Sequence, residues 1–440
     1  MRIYLLSMGC AKNTADSEHL KAILESLGHK VTDDAESSQC AIINTCGFIQ
    51  DAVKENIDAI LDLEALKNEG RIKTLIVAGC LVNRYEKELR EEFSGTVDLF
   101  VRSEEWNKIA EFLGGRESSN CPPVPISNNY FSRYLKISEG CNTLCSYCAI
   151  PMIRGRLRSV PLNRVVDESV IMCAAGAKEL CLVGQDLTVY GQDFSDGTNL
   201  RTLIHALNDA VPKGTWIRLL YLHPNRVDEA LIDFLMTQDN VLHYLDIPIQ
   251  HSDPKILSRM NRPCPEGHLH RIFTYIRELD PLFTLRTTIM TGFPGETAKS
   301  FESLMDFVSD IEFDHLGAFI YSPEEGTKAA EFSRRVSKKT AESRYNALME
   351  LQTDISKRRS ALFIGRELDA IVEEIEEENI ARCRSFRDAP EVDGNVFFEH
   401  ADEFSAKAGD IVRVSIYTIM YEHLWGKVIQ NADGKSFRQN

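Results

Sequence analysis

Short apolar runs alternate with longer amphipathic stretches over residues 1–116. The apolar runs predict strands at residues 3–7, 41–45 and 73–78. The stretches between them carry apolar residues at helical spacing and predict helices at 16–27 and 49–63. Strands separated by helices favour right-handed crossovers and a parallel sheet. The pattern therefore predicts an N-terminal α/β domain with a parallel sheet.

A second alternating region covers residues 131–361, after a linker at 117–130 that is rich in Pro, Ser and Asn and contains Cys121. Six apolar runs predict strands at residues 134–138, 180–183, 217–220, 244–248, 284–290 and 315–320. Helical patterns lie between them, and a polar helical stretch at 337–362 suits a connecting helix. Six such repeats favour a partial (β/α) barrel of the TIM type, whose active face lies at the carboxyl ends of the strands.

The last part of the chain changes to short strands with glycine turns. These strands are predicted at residues 367–373, 380–385, 395–398, 411–417 and 424–429. Five short strands of this kind predict a small antiparallel β-barrel over 362–431, followed by a tail at 432–440. The fold class is therefore α/β multidomain, with a C-terminal barrel.

Composition narrows the class of protein. The chain has 440 residues, 43% of them hydrophobic and 26% charged, which is typical of globular domains. No apolar run approaches the roughly 18 residues that span a bilayer. We expect no membrane partner and a cytoplasmic location, where thiols stay reduced. The net charge of −16 argues against broad binding to nucleic-acid phosphates.

Three cysteines share one short loop in the spacing CxxxCxxC: Cys141, Cys145 and Cys148. Iron–sulfur clusters normally take four cysteine thiolates, and structural zinc sites also close with four ligands. Three thiolates on four irons leave one iron open for a ligand that is not protein. The loop therefore indicates a catalytic metal site. The zinc alternative requires a fourth ligand from elsewhere in the chain.

Three further cysteines each follow a predicted strand of the N-terminal domain: Cys10, Cys46 and Cys80. Because ligands bind at the carboxyl ends of parallel strands, these thiols are expected to converge at one edge. The alternative is three small apolar side chains beneath loops. Cys40 begins the strand that Cys46 ends, about 20 Å away, so both cannot bind one cluster. We interpret Cys40, Cys173, Cys181, Cys264 and Cys383 as buried structural cysteines.

Several segments resemble one enzyme family. The loop at residues 140–159 is similar to the signature of the radical S-adenosylmethionine methylthiotransferases. Three segments resemble the N-terminal domain of that family, at residues 9–18, 44–48 and 78–80. Residues 321–327 and 388–394 resemble its RimO branch, which modifies an aspartate of the small-subunit ribosomal protein S twelve. In this family the C-terminal barrel is a TRAM domain, usually an RNA-binding module.

The resemblance implies a mechanism with two four-iron four-sulfur clusters. Cys141, Cys145 and Cys148 would hold the cluster whose open iron chelates S-adenosylmethionine, and one electron then yields a 5′-deoxyadenosyl radical. The cluster at Cys10, Cys46 and Cys80 would handle the sulfur. A second S-adenosylmethionine would supply the methyl group. The product would carry a methylthio group on the β-carbon of the aspartate.

The same resemblance implies partners. These are the basic ribosomal protein, free or within the ribosome, an electron donor such as flavodoxin or ferredoxin, and a sulfur donor. One alternative is the sister activity on a tRNA adenosine, which uses the same chemistry. A second alternative is a non-catalytic iron–sulfur redox protein, which a cluster with four protein ligands would favour.

Other residues are candidate contacts of S-adenosylmethionine. Tyr147 matches the family's aromatic position near adenine, and the alternative is a side chain that only packs within the loop. The run Gly184, Gln185, Asp186 stands where many radical enzymes have a Gly-Gly-Glu-Pro segment, and departs from it. Gly292 and Glu296 belong to a tight turn, near the cofactor or purely structural.

Several charged or basic residues have two interpretations. Arg154, Arg156 and Arg158 could neutralise the methionine carboxylate or the cluster, or form a solvated basic stripe. His223 and His251 follow strands and are more often satisfied polar residues than ligands.

Acidic residues crowd the C-terminal barrel. Residues 362–430 contain seven Lys or Arg and fifteen Asp or Glu, which leaves a formal charge of −8. RNA binding needs the opposite sign, whereas an acidic face would steer a basic protein. We expect substrate docking at five glutamates: Glu373, Glu374, Glu376, Glu377 and Glu378. The alternative is a solvated face that keeps the protein soluble.

Overall fold

The computed structural model describes residues 1–115, 131–376, 380–399 and 406–430. Within these residues the chain forms a five-stranded sheet, a six-stranded sheet, a two-stranded hairpin and a closed five-stranded barrel. The order in which these sheets follow one another along the chain confirms the predicted α/β multidomain fold. The predicted linker, the tail, Glu377 and Glu378 lie outside the described residues.

The N-terminal sheet is parallel, with the strand order β2-β1-β3-β4-β5. Its strands are β1 (Arg2–Ser7), β2 (Lys30–Thr32), β3 (Cys40–Thr45), β4 (Thr74–Gly79) and β5 (Leu99–Val101). Its helices are α1 (Ala11–Ser26), α2 (Gln50–Asn68), α3 (Cys80–Glu92) and α4 (Asn107–Phe112). The central strand β3 is buried at every residue, as strands covered on both faces are. The edge strands β2 and β5 escaped prediction because three residues carry too little pattern.

Helix α1 begins at Ala11, five residues before the predicted start at Asp16. Its first turn is polar, so the apolar periodicity begins later than the helix. Buried Asn13 stabilises that turn, because its Nδ2 donates to the carbonyls of Met8, at 2.7 Å, and Thr45, at 2.9 Å. Polar contacts across the sheet edge therefore extend the helix up to Cys10.

The six predicted central strands are confirmed and form one parallel sheet in the order β13-β12-β11-β10-β9-β6. They are β6 (Ser132–Lys136), β9 (Glu179–Val183), β10 (Trp216–Leu219), β11 (Val241–Asp246), β12 (Thr284–Thr291) and β13 (His315–Ile320). A two-residue hairpin, β7 (Ser138–Glu139) and β8 (Arg158–Ser159), was too short to predict. It closes the base of the loop that carries Cys141.

Helices pack against the central sheet around one large apolar core. They are α6 (Leu162–Ala174), α7 (Leu200–Ala210), α8 (Glu229–Met236), α9 (Pro254–Arg259), α10 (His268–Leu279), α11 (Ala298–Ile311) and α12 (Lys338–Ala361). The short helix α5 (Ile150–Ile153) instead contacts α3 of the N-terminal domain, where Ile153 packs with Cys80. Helix α12 is the predicted connecting helix, and its carboxyl end leads into the C-terminal barrel. No helix among the described residues is long and apolar enough to cross a membrane.

The C-terminal barrel closes in the order β14-β15-β16-β18-β17, which confirms the five predicted strands. They are β14 (Glu367–Ile375), β15 (Ile380–Ser385), β16 (Val396–Glu399), β17 (Ile411–Met420) and β18 (His423–Gln430). Asp393, from the loop before β16, accepts hydrogen bonds from Tyr244 Oη at 2.7 Å and Arg286 Nε at 3.0 Å. These buried contacts fasten the barrel to strands β11 and β12.

A buried ion network strengthens the same junction. Glu179 of β9 accepts from Arg218 Nε at 2.7 Å and from Arg384 Nη2, in β15, at 2.7 Å. Burial disfavours the carboxylate, but Arg384 and Arg218 overcome it and lower the pKa of Glu179 to about 2. The network therefore stays ionised at neutral pH and ties the barrel to the central sheet.

Candidate functional site

Three cysteines of the N-terminal domain lie at neighbouring strand ends. Cys10 is the N-cap of α1 after β1, Cys46 follows β3, and Cys80 begins α3 directly after β4. Because β1, β3 and β4 are adjacent and parallel, their carboxyl ends meet at one edge. The convergence expected from the sequence is present in the fold.

Two glycines allow these loops to approach each other. Gly9 has φ +101°, and a Cβ placed there would lie 2.6 Å from the Cβ of Cys46. Gly79 has φ +99°, and its Cβ would lie 2.5 Å from Asn44 Oδ1. Any larger side chain would clash and adopt a strained backbone. The close spacing of the cysteine loops therefore depends on glycine.

The second cysteine set follows the first strand of the central sheet. Its loop runs between β7 and α5, and the N–H of Cys141 donates to the carbonyl of Gly155 at 3.1 Å. A cavity of about 430 Å³ is lined by all six cysteines: Cys10, Cys46, Cys80, Cys141, Cys145 and Cys148. The two sets, from two domains, thus face one chamber.

A larger groove of about 600 Å³ near α9–α11 is lined by one cysteine, Cys264, and we assign no chemistry to it. Cys264 and Cys173 are only partly buried, so the expectation of a buried side chain is wrong for these two and is confirmed for Cys40, Cys181 and Cys383.

Cationic side chains surround the N-terminal set. Arg154 Nε donates to Cys80 Sγ at 3.0 Å, and its Nη1 contacts Asp16 at 2.9 Å and Glu139 at 3.0 Å. Lys12 lines the cavity, with its Nζ 4.0 Å from the centre of the Tyr221 ring. These positive charges offset the negative charge that thiolates and an anionic cluster would bring.

The thiols differ in how readily they ionise. Burial opposes ionisation of Cys10, but Lys12 and the N–H groups at the start of α1 lower its pKa. Burial raises the pKa of Cys80 and of Cys148 to about 12, in spite of Arg154 and Arg262 respectively. Coordination by a metal deprotonates a thiol outright. Two sets of three thiols beside cations therefore fit cluster binding.

Among the residues that the structure describes, no group of three or more His, Cys, Asp or Glu side chains is arranged to hold a metal ion. The assignment of the six cysteines to clusters therefore stays a prediction from their spacing and from the family resemblance.

Three of the predicted contacts of S-adenosylmethionine line the cavity: Tyr147, Gln185 and Asp186. Gln185 Nε2 donates to Glu139 at 2.8 Å, and its buried Oε1 has no partner. Asp186 accepts from Arg226 Nη1 at 2.6 Å. Gly184 lies behind the wall, where a Cβ would be 2.5 Å from Ser138 Oγ. Their assignment to the cofactor stays a prediction.

The predicted turn at Gly292 and Glu296 does not belong to the cavity wall. The Glu296 carboxylate accepts from the N–H of Gly292 at 2.6 Å and pairs with Arg344 at 2.7 Å. Gly292 has φ +76° and packs against Ala341 of α12. The carboxylate is used within its own turn, which favours the structural interpretation. The turn supports the cavity indirectly, because the ring of Phe293 packs edge-on against Tyr147.

The basic run separates into two kinds of residue. Arg154 is buried against both domains, whereas Arg156 and Arg158 are exposed. Of the two interpretations, the exposed pair fits the solvated stripe and Arg154 fits the charge-neutralising role.

The sequence analysis gave His223 no role in the cavity and did not identify Arg262. His223 lines the cavity, its Nδ1 accepts from the N–H of Asn225, and its buried Nε2 has no partner. Burial and the nearby Arg262 lower the pKa of His223 to about 2. Arg262 itself lies 3.5 Å from Cys145 Sγ through its Nη1. The strand-end rule did place His223 after a strand, but the residue was judged a satisfied polar side chain, whereas no pattern marks Arg262.

The second histidine, His251, is buried outside the cavity wall. Its Nδ1 accepts from the N–H of Asp253 at 2.9 Å, and burial lowers its pKa to about 4. Its buried Nε2 has no hydrogen-bond partner among the residues that the structure describes, so its role as a satisfied structural residue stays a prediction.

The acidic cluster of the barrel is partly neutralised by its neighbours. Glu373 pairs with Arg384 and Arg382, and only 18% of its side chain is exposed. Glu374 and Glu376 also pair with Arg382, but their side chains are 59% and 40% exposed. Glu373 therefore belongs to the barrel's own ion pairs, and the two more exposed glutamates are the better docking candidates.

Three family models match the chain in succession. Residues 2–101 match the uncharacterised protein family UPF0004, residues 135–308 match the radical SAM superfamily, and residues 364–429 match the TRAM domain. The three matches follow the three sheets described above.

Curated relatives match along nearly the whole chain. The ribosomal protein uS12 methylthiotransferase RimO of Desulfosudis oleivorans is 42% identical, over 94% of this chain and 97% of its own. The protein of the same name from Geobacter sulfurreducens is 39% identical, over 97% and 98%. Among solved structures, the radical S-adenosylmethionine methyltransferase TsrM of Kitasatospora setae aligns with a TM-score of 0.51 at 17% identity, over 72% of this chain and 74% of its own. That structural likeness concerns the fold.

Proposed function

This chain belongs to the RimO family of ribosomal protein uS12 methylthiotransferases, and we propose that it installs a methylthio group on the β-carbon of an aspartate of uS12. The observation that carries the proposal is the single cavity lined by two sets of three cysteines. The radical must remove hydrogen from the same carbon to which the sulfur is then transferred. Both cysteine sets must therefore lie close to that carbon, as a single cavity lined by both sets allows.

Membership of the radical SAM superfamily implies one four-iron four-sulfur cluster and S-adenosylmethionine. Bound together, they supply a carbon radical able to remove hydrogen from an unactivated carbon. In the proposal Cys141, Cys145 and Cys148 hold this cluster and leave one iron for the cofactor. Arg262 offsets the charge of the cysteine set. The unpartnered Oε1 of Gln185 provides an acceptor for the methionine amino group.

The N-terminal set is proposed to hold a second four-iron cluster that carries the sulfur. Cys10, Cys46 and Cys80 supply three thiolates, which again leave one iron open. Lys12 and Arg154 offset the added negative charge. A further S-adenosylmethionine would donate the methyl group. The electron donor, such as flavodoxin or ferredoxin, and the sulfur donor are proposed partners, and the proposed location is the cytoplasm, where a ribosomal substrate is found.

Substrate docking is proposed for the acidic barrel. Its formal charge of −8 over residues 362–430 opposes binding to RNA phosphates and favours a basic ribosomal protein. Glu374 and Glu376 are exposed enough to meet such a partner. The sister activity on tRNA adenosine, which needs a surface for RNA, is less well supported by this charge.

Mass spectrometry of ribosomal proteins and tRNA from cells that lack the chain tests the proposed function. The expected result is loss of the methylthio mass from uS12, with methylthioadenosine in tRNA unchanged. Complementation with the parent chain should restore the modification, whereas complementation with Cys145→Ala should not. Loss of the tRNA modification with normal uS12 would instead assign the chain to the sister activity.

A further inference from the structure

The loop after β13, residues 321–331, contacts elements that carry both cysteine sets. Its sequence resembles a branch motif, but none of its residues has yet been given a role. Glu324 is only 3% exposed although it carries a charge. Burying a carboxylate is costly unless it is paired and hydrogen-bonded. The partners of Glu324 therefore indicate what the loop does.

One partner is the N-terminus of α2, which follows the Cys46 loop. The residue before this helix is Ile49, whose side chain cannot cap it. Glu324 Oε1 accepts from the N–H of Gln50 at 3.2 Å, and Oε2 lies 3.5 Å from Gln50 Nε2. A carboxylate is favourable at a helix N-terminus because it meets free N–H groups and the positive end of the dipole. A side chain of the central domain thus caps a helix of the N-terminal domain.

The second partner is Arg84 of α3, whose Nη1 lies 3.1 Å from Glu324 Oε2. Both side chains are almost fully buried, at 7% and 4% exposure. The same Nη1 donates to the carbonyl oxygens of Gly47, at 2.8 Å, and Phe48, at 3.3 Å. These are the two residues that follow Cys46. The Glu324–Arg84 pair therefore holds the backbone next to one cysteine of the N-terminal set.

The far end of the loop holds the other cysteine set. The N–H of Ala329 donates to the carbonyl of Ser146 at 2.8 Å. Ser146 lies between Cys145 and Cys148, and its hydroxyl donates to the carbonyl of Arg259 at 2.8 Å. One short segment of chain therefore has Glu324 fixed at the Cys46 loop and Ala329 fixed at the loop of the second set.

We propose that Glu324 is a positioning residue that sets the separation of the two cysteine sets through Arg84 and the start of α2. The inference rests on the proposed function, because it concerns the transfer of sulfur to a carbon activated at the other set. A misplacement of about 1 Å in such a reaction can cost about 100-fold in rate. Glu324 touches neither set of thiols, so its loss should uncouple the two sites without emptying them.

The test compares Glu324→Gln with Glu325→Gln in the reconstituted holoenzyme. Glutamine keeps the shape and one acceptor oxygen but removes the charge that pairs with Arg84. The neighbouring Glu325 is exposed and is the matched control. For Glu324→Gln we expect parental iron content and cleavage of S-adenosylmethionine within about two-fold. The ratio of 5′-deoxyadenosine to methylthiolated uS12 should rise by about ten-fold or more. Glu325→Gln should match the parent in iron content, in cleavage of S-adenosylmethionine and in this ratio.

A second readout does not depend on turnover. Amide hydrogen exchange over residues 46–52 should accelerate in Glu324→Gln and not in Glu325→Gln, because the cap and the Arg84 contact weaken. Magnetic relaxation between the two reduced clusters should also change only in Glu324→Gln. The inference would be overturned if Glu324→Gln kept the parental ratio of 5′-deoxyadenosine to methylthiolated uS12, the parental rate of amide hydrogen exchange and the parental magnetic relaxation between the clusters.

A gentler variant covers the case in which Glu324→Gln loses iron. Arg84→Lys keeps the positive charge but removes the rigid guanidinium, whose Nη1 contacts Glu324 and the two carbonyls and whose Nη2 lies 3.5 Å from the carbonyl of Glu325. In Arg84→Lys the ratio of 5′-deoxyadenosine to methylthiolated uS12 should also rise, but by less than in Glu324→Gln. An unchanged ratio in Arg84→Lys would overturn the inference. Absence of methylthiolated uS12 with the parent enzyme would contradict the proposed function, whereas hydrogen exchange would still test the role of Glu324.

Discussion

The two cysteine sets reach the same cavity by different routes. Cys141, Cys145 and Cys148 come from one loop closed by a hairpin, so their spacing alone indicates a metal site. Cys10, Cys46 and Cys80 come from three strand ends, and only the topology of a parallel sheet brings them together. A local motif thus identifies one site, whereas the other is visible only once strands are assigned.

The sets also differ in what stabilises them. The second set, Cys141, Cys145 and Cys148, has its nearby cation, Arg262, within its own central domain. The N-terminal set receives Arg154 from the central domain, in contact with Cys80 Sγ. Its electrostatic environment therefore depends on docking between two domains. We therefore expect changes at the domain interface to affect the site at Cys10, Cys46 and Cys80 and to leave the site at Cys141, Cys145 and Cys148 unaffected.

The largest expected effect separates the chemical roles of the sets. Cys145→Ala should abolish reductive cleavage of S-adenosylmethionine, because two thiolates do not hold the cluster that binds it. Cys46→Ala should keep that cleavage and lose methylthiolation of uS12. Chromatography of 5′-deoxyadenosine and mass spectrometry of the substrate measure the two steps. Cys40→Ala, at the start of the strand that Cys46 follows, is the control and should keep both activities. Loss of cleavage in Cys46→Ala would contradict the separate roles of the two sets.

The next effect tests the dependence on the domain interface. Arg154→Gln removes the buried ion pairs of Arg154 with Asp16 and Glu139. Both carboxylates keep Lys136, so the loss should be at the lower end for a broken buried pair, about 3 kcal/mol of stability. The N-terminal set should lose its iron first, and thermal unfolding with iron analysis measures both. Arg156→Gln removes an exposed charge from the same run and should change stability by less than about 0.5 kcal/mol. Equal losses of stability and iron in Arg154→Gln and Arg156→Gln would contradict the proposed dependence of the N-terminal site on the domain interface.

The pH dependence of the same interface gives a smaller effect. Burial and the nearby Glu391 raise the pKa of Glu18, in α1, to about 7 in spite of Arg133. The folded chain therefore keeps a proton that the unfolded chain loses, and stability falls as pH rises from about 4.5 to about 7.

Glu18→Gln should remove this dependence. The variant should exceed the parent in stability by at most about 3 kcal/mol at about pH 8, and match it at acidic pH. Thermal midpoints at both pH values measure the difference. Glu88→Gln, at an exposed position on α3, should behave as the parent. A destabilised Glu18→Gln at high pH would show that its ion pair with Arg133 outweighs burial.

The smallest effect concerns docking of the substrate. Reversal of charge in Glu374→Lys with Glu376→Lys should weaken binding of purified uS12 by about ten-fold at low salt, and less at high salt. The control reverses two exposed glutamates of α3, Glu88→Lys with Glu92→Lys, and makes the same change in net charge. Titration calorimetry measures the affinity. Equal weakening by both pairs would assign the effect to overall charge rather than to the barrel.

The sequence predicted long features well and short or polar ones poorly. The six central strands and the convergence of Cys10, Cys46 and Cys80 followed from apolar runs and the strand-end rule. Strands of two or three residues carry too little pattern, and the first turn of α1 depends on polar contacts of Asn13. Arg262 enters the cavity from the segment between α9 and α10, and Glu373 pairs with arginines of the next strand. Such tertiary pairings have no signature along the chain.

Iron and acid-labile sulfide analysis of the anaerobically reconstituted chain tests the central claim most directly. Two sets of three cysteines that each hold a four-iron cluster predict about eight irons per parent chain, and about four in Cys46→Ala. A parent with about four irons, unchanged by Cys46→Ala, would contradict the account and leave the N-terminal cysteines as structural side chains.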